Sequence, residues 1–364
     1  MRFEAYTPRT IVDPAALAAQ LDLIRAQGYA VEDEEIMLGK RCVGAAILDA
    51  AGRAVAAISV AGPTYRLTRE RVALLAPEIA TIARHISLQL RLVAVAADDA
   101  GDGPRPIAEP AQPGDGASPC WDRRSGTLAW IEPALSRIVL RCGDGLHMID
   151  APEGARLLGL ARAPTGEGWI VLSRDAAFHL AHGRLACADQ FQGLRGALSV
   201  TAGAGALWCA RPSKGGCEIA RVTQEASATL AWLSAQALAL VWSENEACLY
   251  AADAERGAIH RITAQGEVRL FARAPRVSGV PRGLGVDADG RLWAALDGGW
   301  TLARLTQEGD VDLVIGAPVP RPTGLAFGGA NGRTMFIATT REGLSAERLA
   351  HAPASGPMPE FAMG

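Results

Sequence analysis

Residues 283–297 read GLGVDADGRLWAALD: an apolar run, a turn built on Asp287, Asp289 and Gly290, and a second apolar run carrying Trp293. Gly and Asp fit such turns because the backbone there needs positive φ or a local side-chain acceptor. Working outward, the same text recurs as PCWDRRSGTLAWIE (119–132), LARAPTGEGWIVLSR (160–174), LSVTAGAGALWCAR (198–211), LALVWSENEACLYAAD (238–253) and GLAFGGANGRTMFIATTR (324–341). Each second run is read as ending in a large aromatic: Trp130, Trp169, Trp208, Tyr250, Trp293 and Phe336, spaced 39, 39, 42, 43 and 43 residues apart. A third run follows in five units: SRIVLR, AAFHLAHG, CEIARVTQ, AIHRITAQG and TLARLTQEG. A period of roughly 40 residues with four short strands per unit predicts an all-β propeller of six blades over 117–364. The six aromatics are expected to pack between blades rather than to form a substrate platform.

The ends of the chain read differently. No tryptophan precedes Trp121, and ADDAGDGPRPIAEPAQPGDGAS (97–118) is too rich in Pro, Gly and Asp to build a core. Residues 96–116 are therefore read as a linker and 1–95 as a separate α+β domain. Asp13 before Pro14 is an N-cap with proline in the first turn, Leu17, Leu21 and Ile24 share a face, and Gly28 is the stop. RCVGAAIL (41–48) and AVAAISV (54–60) predict a hairpin, and a second helix opens at Thr68 with Leu75, Ile79, Ile82 and Ile86 as its stripe and Pro77 as a candidate kink.

Composition excludes several classes. A formal charge of −3 gives no global attraction to nucleic acid or anionic lipid, and no run of 18 apolar residues predicts a membrane span. MRFEAYTPRT lacks a signal-peptide core, and seven dispersed cysteines without a CxxC pair fit reduced thiols, so a cytoplasmic location is expected. Cys209 and Cys217 are read as small apolar filler, although neighbouring strands bring their positions near each other. His147, His179, His182 and His260 lack metal-ligand spacing, with His179 and His182 expected on opposite faces of one strand.

The stretch YTPRTI, GYAVEDEE, GKRCVGAAILDAAGRAVAAISVAGP and LAPEIATIARHIS resembles the C-terminal half of the effector-binding (GAF-like) domain of the IclR family of transcription factors. That resemblance implies a small-molecule effector pocket to which Glu32, Cys42 and Ser59 contribute, with Ala61 where a second hydroxyl is common. It also implies a half-sheet with an unpaired edge, expected to be covered by self-association, and a DNA-binding part that would precede Met1. No direct DNA contact by this chain is expected.

WDRRSGTLAWIE, RGLGVDADGRLWAAL and PVPRPTGLAFGGANGRTMFIATTR resemble the gluconolactonase, senescence-marker-protein (regucalcin) and luciferin-regenerating-enzyme family. The resemblance implies a six-bladed propeller that hydrolyses sugar lactones with one divalent metal at the channel mouth. The three positions that would hold the metal carry Ala117, Leu238 and Arg282. A hard cation needs oxygen ligands, and a guanidinium opposes it. On the third blade Arg195 keeps a substrate-contact position, while its partner position is Ala197. Asp122, Asp287 and Asp289 sit in turns, which suits a local structural role better than ligation; Asp297 is the remaining candidate substitute. We therefore expect no catalytic residue, cofactor or metal, and a sugar-acid or lactone sensor with Arg195 and Arg282 at the propeller mouth. Two other readings stay open: a lactone hydrolase, and a transcription regulator whose DNA-binding part lies outside this chain.

Overall fold

The computed structural model describes residues 4–49, 52–98, 105–106, 115–143, 145–164, 167–274, 279–346, 349, 352, 355–356 and 358–362. The chain divides into two compact units, Met1–Asp99 and Ala100–Gly364. Most of the expected linker, and the 50–51 turn of the first hairpin, lie outside the described residues.

In the first unit, α1 (Pro14–Gln27) begins where Asp13 accepts from the backbone N–H of Ala15 and Ala16, and ends at Gly28 with φ 81°. An antiparallel sheet follows in the order β1 (Ala30–Asp33), β2 (Lys40–Leu48), β3 (Ala54–Pro63). One face of β2 sends Val43, Ala45 and Ile47 against α2 (Arg69–Asp98), where Val72, Ala76, Ile79 and Ala83 meet them. The core stripe of α2 thus shares Leu75, Ile79 and Ile86 with the sequence expectation but centres on Val72, Ala76 and Ala83. α2 runs on through Pro77. α1 contains no buried residue, and Leu21 and Leu23 are exposed.

Among the described residues the second unit holds six four-stranded sheets. Their innermost strands are Ala117–Asp122, Leu157–Arg162, Ser199–Gly203, Ala237–Ser243, Val280–Val286 and Pro322–Gly328. Each touches the next, and the last touches the first, which closes the ring. Neighbours run in the same direction: Gly324 packs on Pro119 near the strand starts, and Gly328 lies under the Trp121 ring near their ends. A side chain at either glycine would collide with its neighbour, so glycine there sets how closely two blades approach. The sixth sheet is completed from both ends of the unit: Pro359–Ala362 is its third strand, and Arg105–Pro106, inside the expected linker, is its outermost.

All six repeat aromatics are buried on second strands. They do not end those strands, which continue beyond every one of them; Trp169 even opens Trp169–Ser173. Nor do they occupy one register. Trp208 stacks on Trp242, Trp293 packs on Phe327, and Phe336 stacks on Trp121, each ring belonging to the following blade. Tyr250 packs toward the following blade too, among Leu284, Leu292 and Ala294. Trp130 packs instead with Ala326 and Phe336 of the preceding blade, and Trp169 with Ala129 and Ile131 of its preceding blade. Trp130 is displaced by one residue relative to the others, Trp169 by one in the opposite sense, and a one-residue shift moves a side chain to the other face.

Cys209 and Cys217 are buried free thiols opposite Ala220 and Pro212, in different interblade cores. His179 lies on Ala177–Ala181, but His182 falls in the turn beyond it at φ 49°, so the two do not share a strand as expected.

Candidate functional site

A channel of about 500 Å³ runs along the propeller axis, lined by all six innermost strands. Each innermost strand has one neighbour within its sheet. Its other edge turns N–H and C=O groups to the channel, which makes the wall polar wherever side chains are small. Four ionisable side chains carrying formal charge line it: Arg124, Arg162, Arg282 and Glu244.

At the end where the innermost strands begin, Arg282 Nη1 donates to Asp297 Oδ2 at 2.9 Å. Arg321 of the next blade grips the same carboxylate through Nε to Oδ1 and Nη2 to Oδ2, both at 2.8 Å. Asp297 is buried at the end of Leu292–Asp297. Burial pushes its carboxyl up, but hydrogen bonds from Arg321 and then Arg282 outweigh that and hold it below the ordinary carboxylate range. The cluster carries two guanidiniums and one carboxylate, about +1 for these three groups, with the Glu342 and Asp115 carboxylates also acting on Arg321. Leu238, 42% exposed, lines the channel at the same end.

In the first unit, Glu32 pairs with Cys42, Cys42 with Ala61, and Gly44 with Ser59 across the sheet. Positions two apart share a face. Glu32, Cys42 and Ser59 therefore stand together on the face away from α2. The Glu32 carboxylate is also engaged locally: Oε1 accepts from the N–H of Glu35 at 2.7 Å and of Ile36 at 3.1 Å. Burial, and then the charge of Glu32, push the nearby Glu35 carboxyl above the ordinary range. Across β1 and β2, Asp33 receives Arg41 at 2.6 Å and Arg69 at 2.8 Å, which ties the start of α2 to the sheet.

Residues 116–341, well over half the chain, match the SMP-30/Gluconolactonase/LRE-like region. The chain belongs to the SMP-30/gluconolactonase/LRE-like family. Among solved structures it is similar to the calcium-binding protein regucalcin from Agrobacterium tumefaciens (TM-score 0.60, 20% identity, 72% of this chain and 94% of that one). It is also similar to XC5397 from Xanthomonas campestris, described as a gluconolactonase (TM-score 0.58, 19% identity, 74% and 93%). At such identities the likeness establishes the fold. Residues 1–88 match the Bacterial transcriptional regulator IclR C-terminal family. There the chain is 46% identical over 87 residues to the HTH-type transcriptional regulator BhcR of Paracoccus denitrificans, covering 24% of this chain and 31% of the regulator. The chain thus spans about a third of the length of the curated regulators it matches.

The metal that the SMP-30 family implies does not fit these residues. Ala117 and Leu238 stand at the first and second positions of their innermost strands, Arg282 at the third of its own. Two of the three offer hydrocarbon side chains, and the third a guanidinium, which has no lone pair to give and repels a cation. Among the described residues no group of three or more His, Cys, Asp or Glu side chains is placed to hold a metal ion. Asp122 and Asp287 serve their turns: Asp122 accepts from Arg124 N–H and Ser125 Oγ, Asp287 from Asp289 N–H, Arg291 N–H and Trp293 Nε1. Asp289 is exposed.

Arg195 follows the short 3-10 helix Asp189–Leu194, is exposed, and is not part of the channel wall. The structure does not bring it to Arg282 as a wall partner. Ala197 is fully buried in the core between the second and third blades. Sequence reasoning missed Arg321. Its only signal was indirect: an arginine introduced beside a buried aspartate needs its charge shared, and a second arginine pins that aspartate from the next blade.

Proposed function

We propose that the protein is a non-catalytic sensor whose propeller takes a small anion, a sugar acid or the carboxylate of an opened lactone, at the strand-start end of its channel. The Arg282–Asp297–Arg321 cluster carries this reading. Arg282 spends one hydrogen bond on Asp297 and keeps its remaining N–H donors beside a polar channel, at the position where the family implies a metal ligand. A carboxylate is the complementary group for such a fork. Titration calorimetry with D-gluconate and its lactone tests it: the expected outcome is gluconate binding that weakens at least tenfold in Arg282→Ala. Lactone hydrolysis that depends on added zinc, calcium, magnesium or manganese and stops on chelation establishes the hydrolase reading in its place.

The IclR-type unit supports a regulatory setting with its own effector, contacted by Glu32, Cys42 and Ser59. The same unit supports homo-oligomerisation. Among the described residues β3 bonds only to β2; it carries no charged residue over Ala54–Pro63 and exposes Val55 and Val60. A long apolar edge strand without charge is an open template for pairing, and a second copy offers the same edge about a two-fold axis.

A further inference from the structure

We propose that the opposite end of the channel, where the innermost strands turn into the second strands, is a second anion site, taking a phosphate or carboxylate group on Arg124 and Arg162. It goes beyond the site at the strand starts and rests on the same reading of the channel as a ligand compartment.

The residues that close the wall at this end all follow an innermost strand. Arg124 lies beyond Ala117–Asp122, Ala163 and Pro164 beyond Leu157–Arg162, Ala204 and Gly205 beyond Ser199–Gly203, and Glu244 beyond Ala237–Ser243. Apart from the two arginines and Glu244, this wall is small or apolar, so charged recognition at this end falls to those three side chains. Arg162 is the last residue of its strand, and its Nε lies 3.2 Å from Asp122 Oδ1 of the preceding blade, an ion pair between the two blades. That ion pair holds the guanidinium beside Asp122 on the channel wall. Asp122 is itself committed to its turn through Arg124 N–H and Ser125 Oγ. Among the described residues no acid is paired with the Arg124 side chain. Arg124, with no acid paired to it among the described residues, and Arg162 place guanidinium donors at the edge of a partly enclosed cavity, the donor type that a phosphate or carboxylate takes.

The two ends are separate sites. Arg282 is the third residue of Val280–Val286, whereas Arg162 ends its strand. Three residues at about 3.3 Å each set the two levels about 10 Å apart along the strands, so a single phosphate does not bridge them. Glu244 opposes the site as the one carboxylate on this wall among the described residues, and it sets the sign of one test.

The experiment is calorimetric titration of the full chain with inorganic phosphate, and separately with D-gluconate, at low salt. Fluorescence of Trp121 and Trp242, which line the channel, gives a second readout. For phosphate, Arg124→Ala is expected to weaken binding at least tenfold, Arg282→Ala to change it less than twofold, and Glu244→Gln to tighten it severalfold. Arg124 and Glu244 are exposed, so both variants are expected to keep the wild-type melting temperature. Absence of phosphate binding at millimolar concentration overturns the proposal, as does indifference to both Arg124→Ala and Glu244→Gln. Equal loss in Arg282→Ala also overturns it, since that outcome means one site. Gluconate binding that depends on Arg282 while phosphate fails to bind leaves the strand-start site standing and removes this one. Phosphate binding that depends on Arg124 while gluconate fails does the reverse.

Discussion

Asp297 shows how one residue's role is settled by its neighbours. A buried carboxylate between Arg282 and Arg321 is worth keeping only while both partners remain. Asp297→Asn leaves two arginines sharing a neutral amide, and we expect it to cost about 3 kcal/mol in a denaturant titration. The sign of the pH effect follows from the depressed carboxyl. Its stabilisation is complete above the unfolded-state value of about 3.9 and is lost as pH falls through the lower folded-state value. Melting curves from about pH 5 down to about pH 2.5 are expected to fall less steeply in Asp297→Asn than in the wild type. A residual slope belongs to Asp33 and Asp122, whose carboxyls are also held low despite burial, by Arg69 and Arg41 in one case and by Ser125 and the Arg124 N–H in the other. Cys120, on the channel wall, goes the opposite way: burial pushes its thiol up to about 12, so it stays protonated and a poor nucleophile at neutral pH. Slow alkylation of Cys120, compared with exposed Cys142 and Cys187, is the check.

At the scale of single elements, the repeat is carried by second strands wedged between neighbours. The Trp208–Trp242 stack, with ring centroids 4.7 Å apart and planes at 17°, joins the third and fourth blades. Trp208 is 1% exposed, so Trp208→Ala removes a wholly interior ring and is expected to cost about 3–5 kcal/mol by chemical denaturation. The edge strand β3 makes the contrasting prediction. Val60→Lys adds a charge to a strand that has none, and charge on an edge blocks pairing between copies. It is expected to shift the full chain toward monomer in sedimentation without lowering its melting temperature. An unchanged mass distribution removes β3 as the self-association edge. The more general signal is that exposed large apolar side chains crowd the first unit, including Ile36, Met37 and Leu38, far beyond its share of the chain.

For the whole molecule the decisive event is ring closure. The sixth sheet takes its third strand from Pro359–Ala362 and its outermost strand from Arg105–Pro106, so residues from both ends of the unit complete one blade. Arg141 of the first blade also reaches Glu360 at 3.2 Å. A chain ending before Pro359 loses the third strand and the partner of the fourth. It is expected to unfold at lower temperature and less cooperatively than the full chain in calorimetry. The sequence by itself determined the six-unit propeller, the IclR-type strand–strand–helix pattern, and the absence of oxygen ligands at Ala117, Leu238 and Arg282. Those features are local in the chain: periodicity, turn residues and side-chain identity do not depend on what lies across a blade boundary. Only the tertiary structure decided that Trp130 and Trp169 face backward, that Arg105–Pro106 belongs to the last blade, that Arg195 lies off the channel wall, and that Arg321 and Arg282 share Asp297. Each of these depends on register or on contacts between strands far apart in sequence, where a shift of one residue changes which neighbour a side chain meets.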